Sequence, residues 1–478
     1  MSRKVLILAN VGNRDVMHDG EIIHRAREKG AELLGRFGEV KDNISLPIIQ
    51  PVLKRIGSAD DWGLSGDEPT MIGLFCTDQE DSRHRANDTI EFARIIQRKL
   101  LQSSPKDVGI RFANKKAIAL IPLKDQNPAR YDDMYSFYRD FFSSDDRIKD
   151  PEEWICFVLL SGGIPAMNAM LLFHAIQHFE EGCVQLYVSP NDGVVDMPVG
   201  EEMVRASVER RFDEALKTLQ FRAAATVLES TGRGGYRAAA CRYAEYRLAF
   251  DFRKARECCR QASRGAEGDV KRYLDGHART TQNLENGDSN QALLLEELFY
   301  NLEVKYRSGE FVDVLGRMFR LQEALLTWIV EGYTGIRTGP GKKLMDHKDD
   351  VDAVPGLMES LRSYKTADGN KLEMKREINR IALMAVTQHL STPESDLAPD
   401  DQTRAANAAT AAASIEKLVN LRNKTIIAHG FEGVSEEDVV RVHGSDTLIK
   451  DLRASVSAAL NRDLSANPFF DLAEKLRF

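Results

Sequence analysis

The chain has 478 residues, of which 43% are hydrophobic and 29% are charged, which is ordinary for a globular protein of two or three domains. Its formal net charge of −8 excludes general adhesion to nucleic acid, so any RNA contact must be a local basic patch. Six cysteines without paired metal spacing indicate buried thiols in a reducing cytoplasm, and no apolar run is long enough to span a membrane.

The first 200 residues contain short apolar runs separated by helical patterns. Continuous apolar runs of this length are typical of strands buried on both faces of a sheet, and the predicted strands cover 5–9, 71–76, 117–122, 155–160 and 183–188. Strands that alternate with helices, such as the one predicted from Thr89, favour a mainly parallel α/β sheet with helices on both faces. Ligands of such sheets lie beyond the carboxyl ends of the strands.

The most informative turn follows the fourth strand at Ser161-Gly162-Gly163-Ile164-Pro165. Two glycines allow the backbone to turn tightly and to approach a ligand closely, and Pro165 suits the first turn of a helix. The N-terminus of that helix would offer free N–H donors and a positive dipole end to a phosphodiester. The alternative is a glycine-rich corner that binds nothing. No G-x-G-x-x-G follows any strand, so dinucleotide binding and a dehydrogenase are disfavoured.

Three stretches of this region together resemble the CARF domains of CRISPR systems, which are Rossmann-like sensors of cyclic oligoadenylate. They are Val11-Gly12-Asn13-Arg14, Thr77-Asp78-Gln79 and the segment from Ser161 to Asn168, and the resemblance covers residues 1–200. It implies that the ligand site comprises Gly12, Asn13, Arg14, Thr77, Asp78, Gln79, Ser161, Gly162, Gly163, Ile164, Met167 and Asn168. Ile164 stands where a Thr is frequent in the family, which removes one hydroxyl contact and leaves the turn intact.

From residue 201 the pattern is helical, and a polar, turn-rich stretch at 283–290 marks the end of a predicted helical linker domain, 201–290. One alternative is a DNA-binding helix-turn-helix, because the linker carries Arg233, Arg237, Arg242, Arg247 and Arg253. Interleaved Glu and Asp favour a solvated or packing face instead.

The remaining residues, 291–478, form a predicted all-α domain that begins with a strongly helical segment at 293–331. Within it, Arg317, Arg320 and Glu323 either face a nucleic acid or pair with one another at helical spacing. The Gly- and Lys-rich stretch at 335–343 is not a P-loop, because its spacing is one residue too long and Lys343 replaces the required Ser or Thr.

The stretch Leu421-Arg422-Asn423-Lys424-Thr425-Ile426-Ile427-Ala428-His429-Gly430 ends an Ala- and Leu-rich run from about Ala405. The run predicts one long helix that Gly430 stops in the left-handed conformation, with His429 near the last turn. Arg422 and His429 would then emerge on the same face, with a rise of roughly 10 Å between them. Metal-free RNA cleavage needs a group that moves protons near neutral pH and a fixed cation on the phosphate, which suits this pair. The alternative is a helix-end His beside an Arg on a solvated face.

This stretch resembles the HEPN ribonuclease motif, because Arg422-Asn423 is followed after five residues by His429-Gly430 at the end of a helix. With the N-terminal resemblance, it implies a cytoplasmic CARF–HEPN endoribonuclease of type III CRISPR defence, activated by cyclic oligoadenylate and acting on single-stranded RNA as a homodimer. It also implies a reaction that needs no metal and leaves a 2′,3′-cyclic phosphate, with His429 moving the proton, Arg422 stabilising charge and Asn423 positioning its neighbours. Neither a membrane nor DNA is an expected partner. A ligand-sensing transcription regulator and a catalytically inert dimerising sensor are the alternatives.

Overall fold

A computed structural model of the chain describes residues 4–58, 69–80, 85–189, 191–232, 234–286, 290–366 and 369–478. These residues form two compact units that divide between Val208 and Glu209. The finer division into 1–200, 201–290 and 291–478 remains a prediction. Among the described residues, no helix is both long and apolar enough to cross a membrane.

The first unit is an α/β unit, as the alternating pattern predicted. Its strands are β1 (Lys4–Asn10), β2 (Met17–His18), β3 (Glu21–Ile22), β4 (Ile44–Ser45), β5 (Thr70–Thr77), β6 (Ile118–Leu123), β7 (Trp154–Leu159), β8 (Cys183–Ser189) and β9 (Gly193–Asp196). Its helices are α1 (Ala26–Gly35), α2 (Phe37–Val40), α3 (Ile49–Ser58), α4 (Ile90–Gln102), α5 (Pro105–Val108), α6 (Tyr131–Ser144) and α7 (Pro165–Phe179), followed by α8 (Val199–Lys217), which crosses the division.

The main sheet has the strand order β6-β5-β1-β7-β8-β9. All neighbouring strands are parallel except β9, which pairs antiparallel with β8. Strand β1 lies between β5 and β7, with Val5 opposite Thr70 on one side and Ile155 on the other. The chain therefore reverses its direction across the sheet at β1 and β7, the type of position where open α/β sheets bind ligands. A small antiparallel sheet, β3-β2-β4, was not predicted.

The side chains of β1 alternate between two apolar cores. Val5 and Ile7 belong to the core that includes α3 and α4, whereas Leu6 and Leu8 belong to the core that includes α6 and α7. Because successive strand residues point to opposite faces, a strand covered on both sides needs an uninterrupted apolar run. The five predicted strands are confirmed on this basis.

The second unit is built from helices. They are α9 (Phe221–Ser230), α10 (Gly235–Leu248), α11 (Phe252–Gly265), α12 (Gly268–Glu285), α13 (Gln291–Arg307), α14 (Phe311–Thr334), α15 (Lys348–Ala353), α16 (Leu357–Ser363), α17 (Arg380–Leu390), α18 (Pro399–Glu416), α19 (Val419–Lys424), α20 (Glu436–His443), α21 (Leu448–Leu460) and α22 (Pro468–Leu476). Helix α14 packs against α13, α17 and α18 and also contacts α19. It therefore connects the core of this unit with the segment that carries Arg422.

Candidate functional site

A cavity of about 980 Å³ opens at the carboxyl ends of β1, β5, β6 and β7. Most of the predicted ligand residues line it, namely Gly12, Asn13, Arg14, Thr77, Gln79, Ser161, Gly162, Gly163, Ile164 and Met167. Segments far apart in the chain meet here because the carboxyl ends of parallel strands share one edge of the sheet. The sequence and the topology thus converge on the same cavity.

One wall of the cavity is a glycine corner, formed by Gly12, Gly162 and Gly163. A Cβ on Gly162 would lie 2.2 Å from the carbonyl oxygen of Asn10, and one on Gly163 would lie 2.6 Å from the Asn10 Cβ. Gly163 also has φ +73°, in the left-handed region that other residues rarely adopt. The glycines are required by the close crossing of two loops, and the absence of side chains means that backbone forms this part of the wall.

Helix α7 begins beside this corner. Pro165 occupies its first turn, and Ile164 and Met167 both line the cavity. The helix N-terminus, with its free N–H groups and positive dipole end, therefore faces the cavity and favours an anionic ligand.

Ser161 and Thr77, two predicted ligand residues that carry hydroxyl groups, also hold the backbone around the cavity in place. The hydroxyl oxygen of Ser161 accepts a hydrogen bond from the Val188 N–H at 2.6 Å. Thr77 and Thr89 exchange two such bonds: each backbone N–H donates to the hydroxyl oxygen of the other, at 3.0 and 3.1 Å. These hydroxyls fix the ends of their strands as well as lining the cavity.

Two other predicted residues do not line the cavity. Asp78 forms an ion pair with Arg27 at 2.7 Å. Asn168 donates from Nδ2 to the Leu160 carbonyl oxygen at 3.1 Å and accepts a bond from Asn10 Nδ2 at 2.8 Å. Asn168 thereby ties the end of β1 to the start of the loop after β7, which is a structural contact.

The mouth of the cavity carries exposed polar and cationic groups. Asn13 and Arg14 are exposed, and neither has a hydrogen bond or ion pair with another described residue. Lys124, directly after β6, also lines the cavity and was missed because a single lysine after a strand carries no motif. Arg14 and Lys124 provide cations that suit a phosphate-containing ligand.

Asp15 is a second residue that the sequence analysis missed. Its side chain is fully buried, and burial raises the pKa of the carboxyl to about 7, although the Gly12 N–H donates to Oδ2 at 2.6 Å. The other oxygen, Oδ1, has no hydrogen-bond partner among the described residues. Asp15 lies against Gly12 and Gly162, so a buried carboxyl that is partly protonated near neutral pH supports the glycine corner of the cavity.

The prediction of one long helix that continues to His429 is wrong. Helix α18 ends at Glu416, α19 ends at Lys424, and Thr425 adopts extended backbone with ψ 167°. The hydroxyl of the buried Thr425 donates to the Arg422 carbonyl oxygen at 2.7 Å, which ends the helix, and the β-branched residues that follow disfavour its continuation. His429 therefore lies in a turn after the helix rather than in its last turn.

Gly430 was predicted to end the helix by adopting the left-handed backbone conformation, and this prediction is wrong. Its φ is not positive; instead, a Cβ there would lie 2.0 Å from the carbonyl oxygen of Lys424. The Gly430 N–H donates to the Thr425 carbonyl oxygen at 3.1 Å, and the Glu432 N–H donates to the Lys424 carbonyl oxygen at 2.8 Å. Glycine is needed because the chain folds back onto the end of α19, and this fold-back positions His429.

The three predicted catalytic side chains have different surroundings. Arg422 is half-buried, with its guanidinium 4.9 Å from the centre of the Phe319 ring, and it lines a groove of about 770 Å³. Asn423 and His429 are exposed and do not line that groove. The structure thus anchors the cation on α14 and leaves the imidazole open to solvent.

The fold and these two sites define a two-unit protein, with a cavity in a parallel α/β unit and a helical unit that carries residues 422–430. We call this segment, with its half-buried Arg422 and exposed His429, the Arg–His turn. Residues 283–450, which include Arg422 and His429, match the family model of the Csm6 HEPN domain. The fold is similar to that of Csm6 from Enterococcus italicus bound to cyclic hexa-2′-fluoro-hexa-dAMP, with a TM-score of 0.58 and 13% identity over 99% of both chains. No curated protein sequence matches the chain.

These findings agree with the resemblance that the sequence motifs indicated. The family match covers the helical region with the Arg–His turn, and the structural likeness extends over the α/β unit as well. The predicted fold class, an α/β unit followed by helices, is confirmed.

Proposed function

We propose that this protein is a CARF–HEPN endoribonuclease of type III CRISPR defence that cyclic oligoadenylate activates. The observation that carries the proposal is the match of residues 283–450 to the Csm6 HEPN domain, because it includes Arg422 and His429. The cavity of the first unit supports the activator, since its glycine corner, helix N-terminus and exposed cations suit a ring of phosphodiesters. The ligand named for the Enterococcus protein is of the same chemical class.

In the proposed reaction, the ribose 2′-oxygen attacks the adjacent phosphorus while its proton passes to an imidazole. The P–O5′ bond breaks, the departing 5′-oxygen takes up a proton, and the products are a 2′,3′-cyclic phosphate and a 5′-hydroxyl. His429 moves the protons, Arg422 stabilises the charge that develops on the phosphate oxygens, and Asn423 positions neighbouring groups. These roles use side chains alone, so the proposed reaction needs no metal.

A second copy of the chain would complete this site. Around the Arg–His turn, Ile426 is 70% exposed and Phe431 is 94% exposed, although both are large apolar residues. Apolar groups clustered at a surface favour association, and a two-fold axis through the turn would place two His429 side chains at one site. One imidazole could then accept the 2′-proton while the other donates to the 5′-oxygen.

The helices of residues 201–290 give little support to the alternative of a DNA-binding regulator. Its candidate residues were Arg233, Arg237, Arg242, Arg247 and Arg253, of which Arg233 lies outside the described residues. Arg242 is ion-paired with Glu229 and with Glu245 at 2.7 Å, and Arg247 is buried against Glu297 at 2.5 Å. Salt-dependent binding to duplex DNA without RNA cleavage would favour this alternative.

Cleavage of single-stranded RNA by variants of the full chain tests the proposal. With cyclic tetra- or hexa-adenylate and excess chelator present, we expect cleavage by the wild type and a loss of at least about 100-fold in His429→Ala and Arg422→Ala. His24→Ala, an exposed histidine of the first unit, is the matched control and should cleave normally. Undiminished cleavage by His429→Ala would overturn the assignment. A wild type that cleaves no RNA under these conditions would make the inert sensor the better account.

A further inference from the structure

The groove that Arg422 lines contains three further arginines. Arg320 lies on α14, Arg376 precedes α17 and Arg380 is the first residue of α17. We call the groove that these three residues line with Arg422 the arginine groove. Four guanidinium groups in one groove of about 770 Å³ contrast with the net charge of −8 of the whole chain. This groove is the type of local basic patch that an acidic protein needs in order to hold RNA.

The four guanidinium groups outnumber the carboxylates that line the groove, which are Glu323 and Glu377. Arg320 pairs with Glu323 at 3.1 Å and Arg376 pairs with Glu373 at 2.7 Å, and all four side chains are more than half exposed. Exposed ion pairs of this kind contribute little free energy, so their guanidinium groups can bind a phosphate instead. Arg422 has no carboxylate partner among the described residues.

Arg380 and Arg422 share one aromatic anchor. Their guanidinium carbons lie 5.4 and 4.9 Å from the centre of the Phe319 ring, and this ring is buried on α14. Arg380 is further fixed by an ion pair with Glu416 at 2.9 Å. Contacts with an aromatic ring orient a guanidinium without neutralising it, so the ring holds the two arginines as neighbours, while Glu416 partly offsets the charge of Arg380.

A second, more apolar cavity of about 840 Å³ adjoins the arginine groove. The two share Arg320, Glu323, Glu377 and Ile378, and the second cavity, which we call the base cavity, includes Leu294, Leu298 and Trp328. A cationic groove beside an apolar, aromatic cavity matches the two parts of an unpaired nucleotide, its phosphate and its base. A base held in a duplex could not enter such a cavity.

We propose that the arginine groove binds the phosphates of the RNA strand on one side of the cleaved linkage, and that the base cavity receives an unpaired base next to them. Arg376 and Arg380 are then substrate-positioning residues, while Arg422 lies at the junction with the reaction site. This inference rests on the proposed function and adds to it the path of the substrate and a physical reason for single-strand selectivity.

RNA binding by the full chain tests the groove independently of cleavage. In a His429→Ala background, with cyclic hexa-adenylate present, the affinity for a fluorescein-labelled single-stranded RNA is measured by anisotropy across a range of salt concentration. Binding to phosphates gives a negative slope when the logarithm of the binding constant is plotted against the logarithm of the salt concentration. We expect Arg376→Gln and Arg380→Gln each to reduce the magnitude of this slope by about 0.7 for each phosphate contact that is lost. Arg380→Lys should recover most of that steepness, and in the active enzyme Arg380→Gln should raise KM more than it lowers kcat.

The matched control is Arg272→Gln on α12, whose side chain is 79% exposed, pairs with Asp269 and does not line the groove. The base cavity is tested with an RNA that carries one abasic nucleotide beside the cleaved linkage, which should bind about tenfold more weakly than the intact RNA. If both Gln variants keep the salt dependence and the melting temperature of the parent, the arginine groove does not bind the RNA phosphates and the proposal is wrong. Equal affinity for abasic and intact RNA, or for duplex and single strand, would overturn the base cavity.

The two proposals fail in different ways. If the wild type cleaves activator-dependently but the Gln variants bind RNA as the parent does, the groove is refuted and the proposed function stands. If no RNA is cleaved while the Gln variants still lose affinity and salt dependence, the groove stands as a binding site and the ribonuclease proposal is refuted.

Discussion

Gly12 and Gly163 lie so close that a Cβ on Gly12 would be 2.6 Å from the Gly163 amide nitrogen. The two residues are about 150 positions apart and belong to the loops after β1 and β7. Their contact brings together the ends of β1 and β7, the neighbouring strands at which the chain switches from one side of the sheet to the other. It therefore fixes the wall against which the proposed activator binds.

A methyl group at Gly12 should disturb this contact. Because the nearest atom is backbone, the loops must separate, and we expect Gly12→Ala to lower stability by about 1–3 kcal/mol and to weaken cyclic oligoadenylate binding at least tenfold. Isothermal titration and thermal denaturation measure the two effects. Gly38→Ala is the control, since a Cβ added at Gly38 would meet no atom within 4 Å, and unaltered ligand binding by Gly12→Ala would contradict the role of the contact.

Asp15 should make the stability of the protein depend on pH. Its pKa of about 7 in the folded state is above the ordinary 3.8, so folding favours the protonated carboxyl. The stability that this group contributes is fully present below pH 3.8 and is lost as the pH rises through about 7, with a total change of at most about 4 kcal/mol.

Replacement of Asp15 by Asn removes the charge while keeping an oxygen that can accept the Gly12 N–H. We expect Asp15→Asn to melt at a higher temperature than the wild type at pH 8, with a smaller difference at pH 5. Melting temperatures of the full chain across this range decide the matter, with the exposed Asp42→Asn as the control. A parallel pH dependence of the wild type and Asp15→Asn would contradict the assignment.

The turn after α19 should not tolerate a side chain at Gly430. A Cβ there would lie 2.0 Å from the Lys424 carbonyl oxygen, so Gly430→Ala must displace the chain on which His429 lies. We expect its RNA cleavage to fall at least about tenfold, since small displacements of a catalytic group are costly. Gly433→Ala, where the added Cβ meets no atom within 4 Å, should cleave normally, and equal activity of the two variants would refute this role of the turn.

Phe431 should contribute to association between two copies of the chain. A phenylalanine with 94% of its surface exposed next to the Arg–His turn is expected to be covered in the active assembly. Phe431→Asp should shift the protein toward monomer and reduce cleavage in parallel, which sedimentation and RNA assays measure together. Met203→Asp, at an exposed residue of α8, is the control, and an unchanged oligomeric state in Phe431→Asp would remove this support for the dimer.

The sequence was sufficient to predict the strands because each one is covered on both faces. That condition produces continuous apolar runs such as Val5 to Ala9, which few other structures require. The polar and glycine residues directly after these strands were sufficient to indicate the cavity, because parallel topology brings their positions together.

Local pattern was not sufficient where tertiary contacts decide the backbone. The run before His429 has helical composition, but the buried Thr425 and the contact between Gly430 and Lys424 end the helix early. Asp15 could not be recognised because its burial depends on a loop that begins near residue 160. The arginine groove was likewise hidden, since its residues come from three segments spread over about 100 positions.

The central claim is that a ligand in the cavity of the first unit switches on RNA cleavage by the second. A ligand can do so only if it binds the active arrangement more tightly than the idle one. The most direct measurement is the initial rate of single-stranded RNA cleavage by the full chain, with and without cyclic tetra- or hexa-adenylate, in excess chelator. We predict that one of these ligands raises the rate at least tenfold and that Gly12→Ala needs at least about tenfold more ligand for the same increase. Equal rates with and without either ligand would contradict the claim.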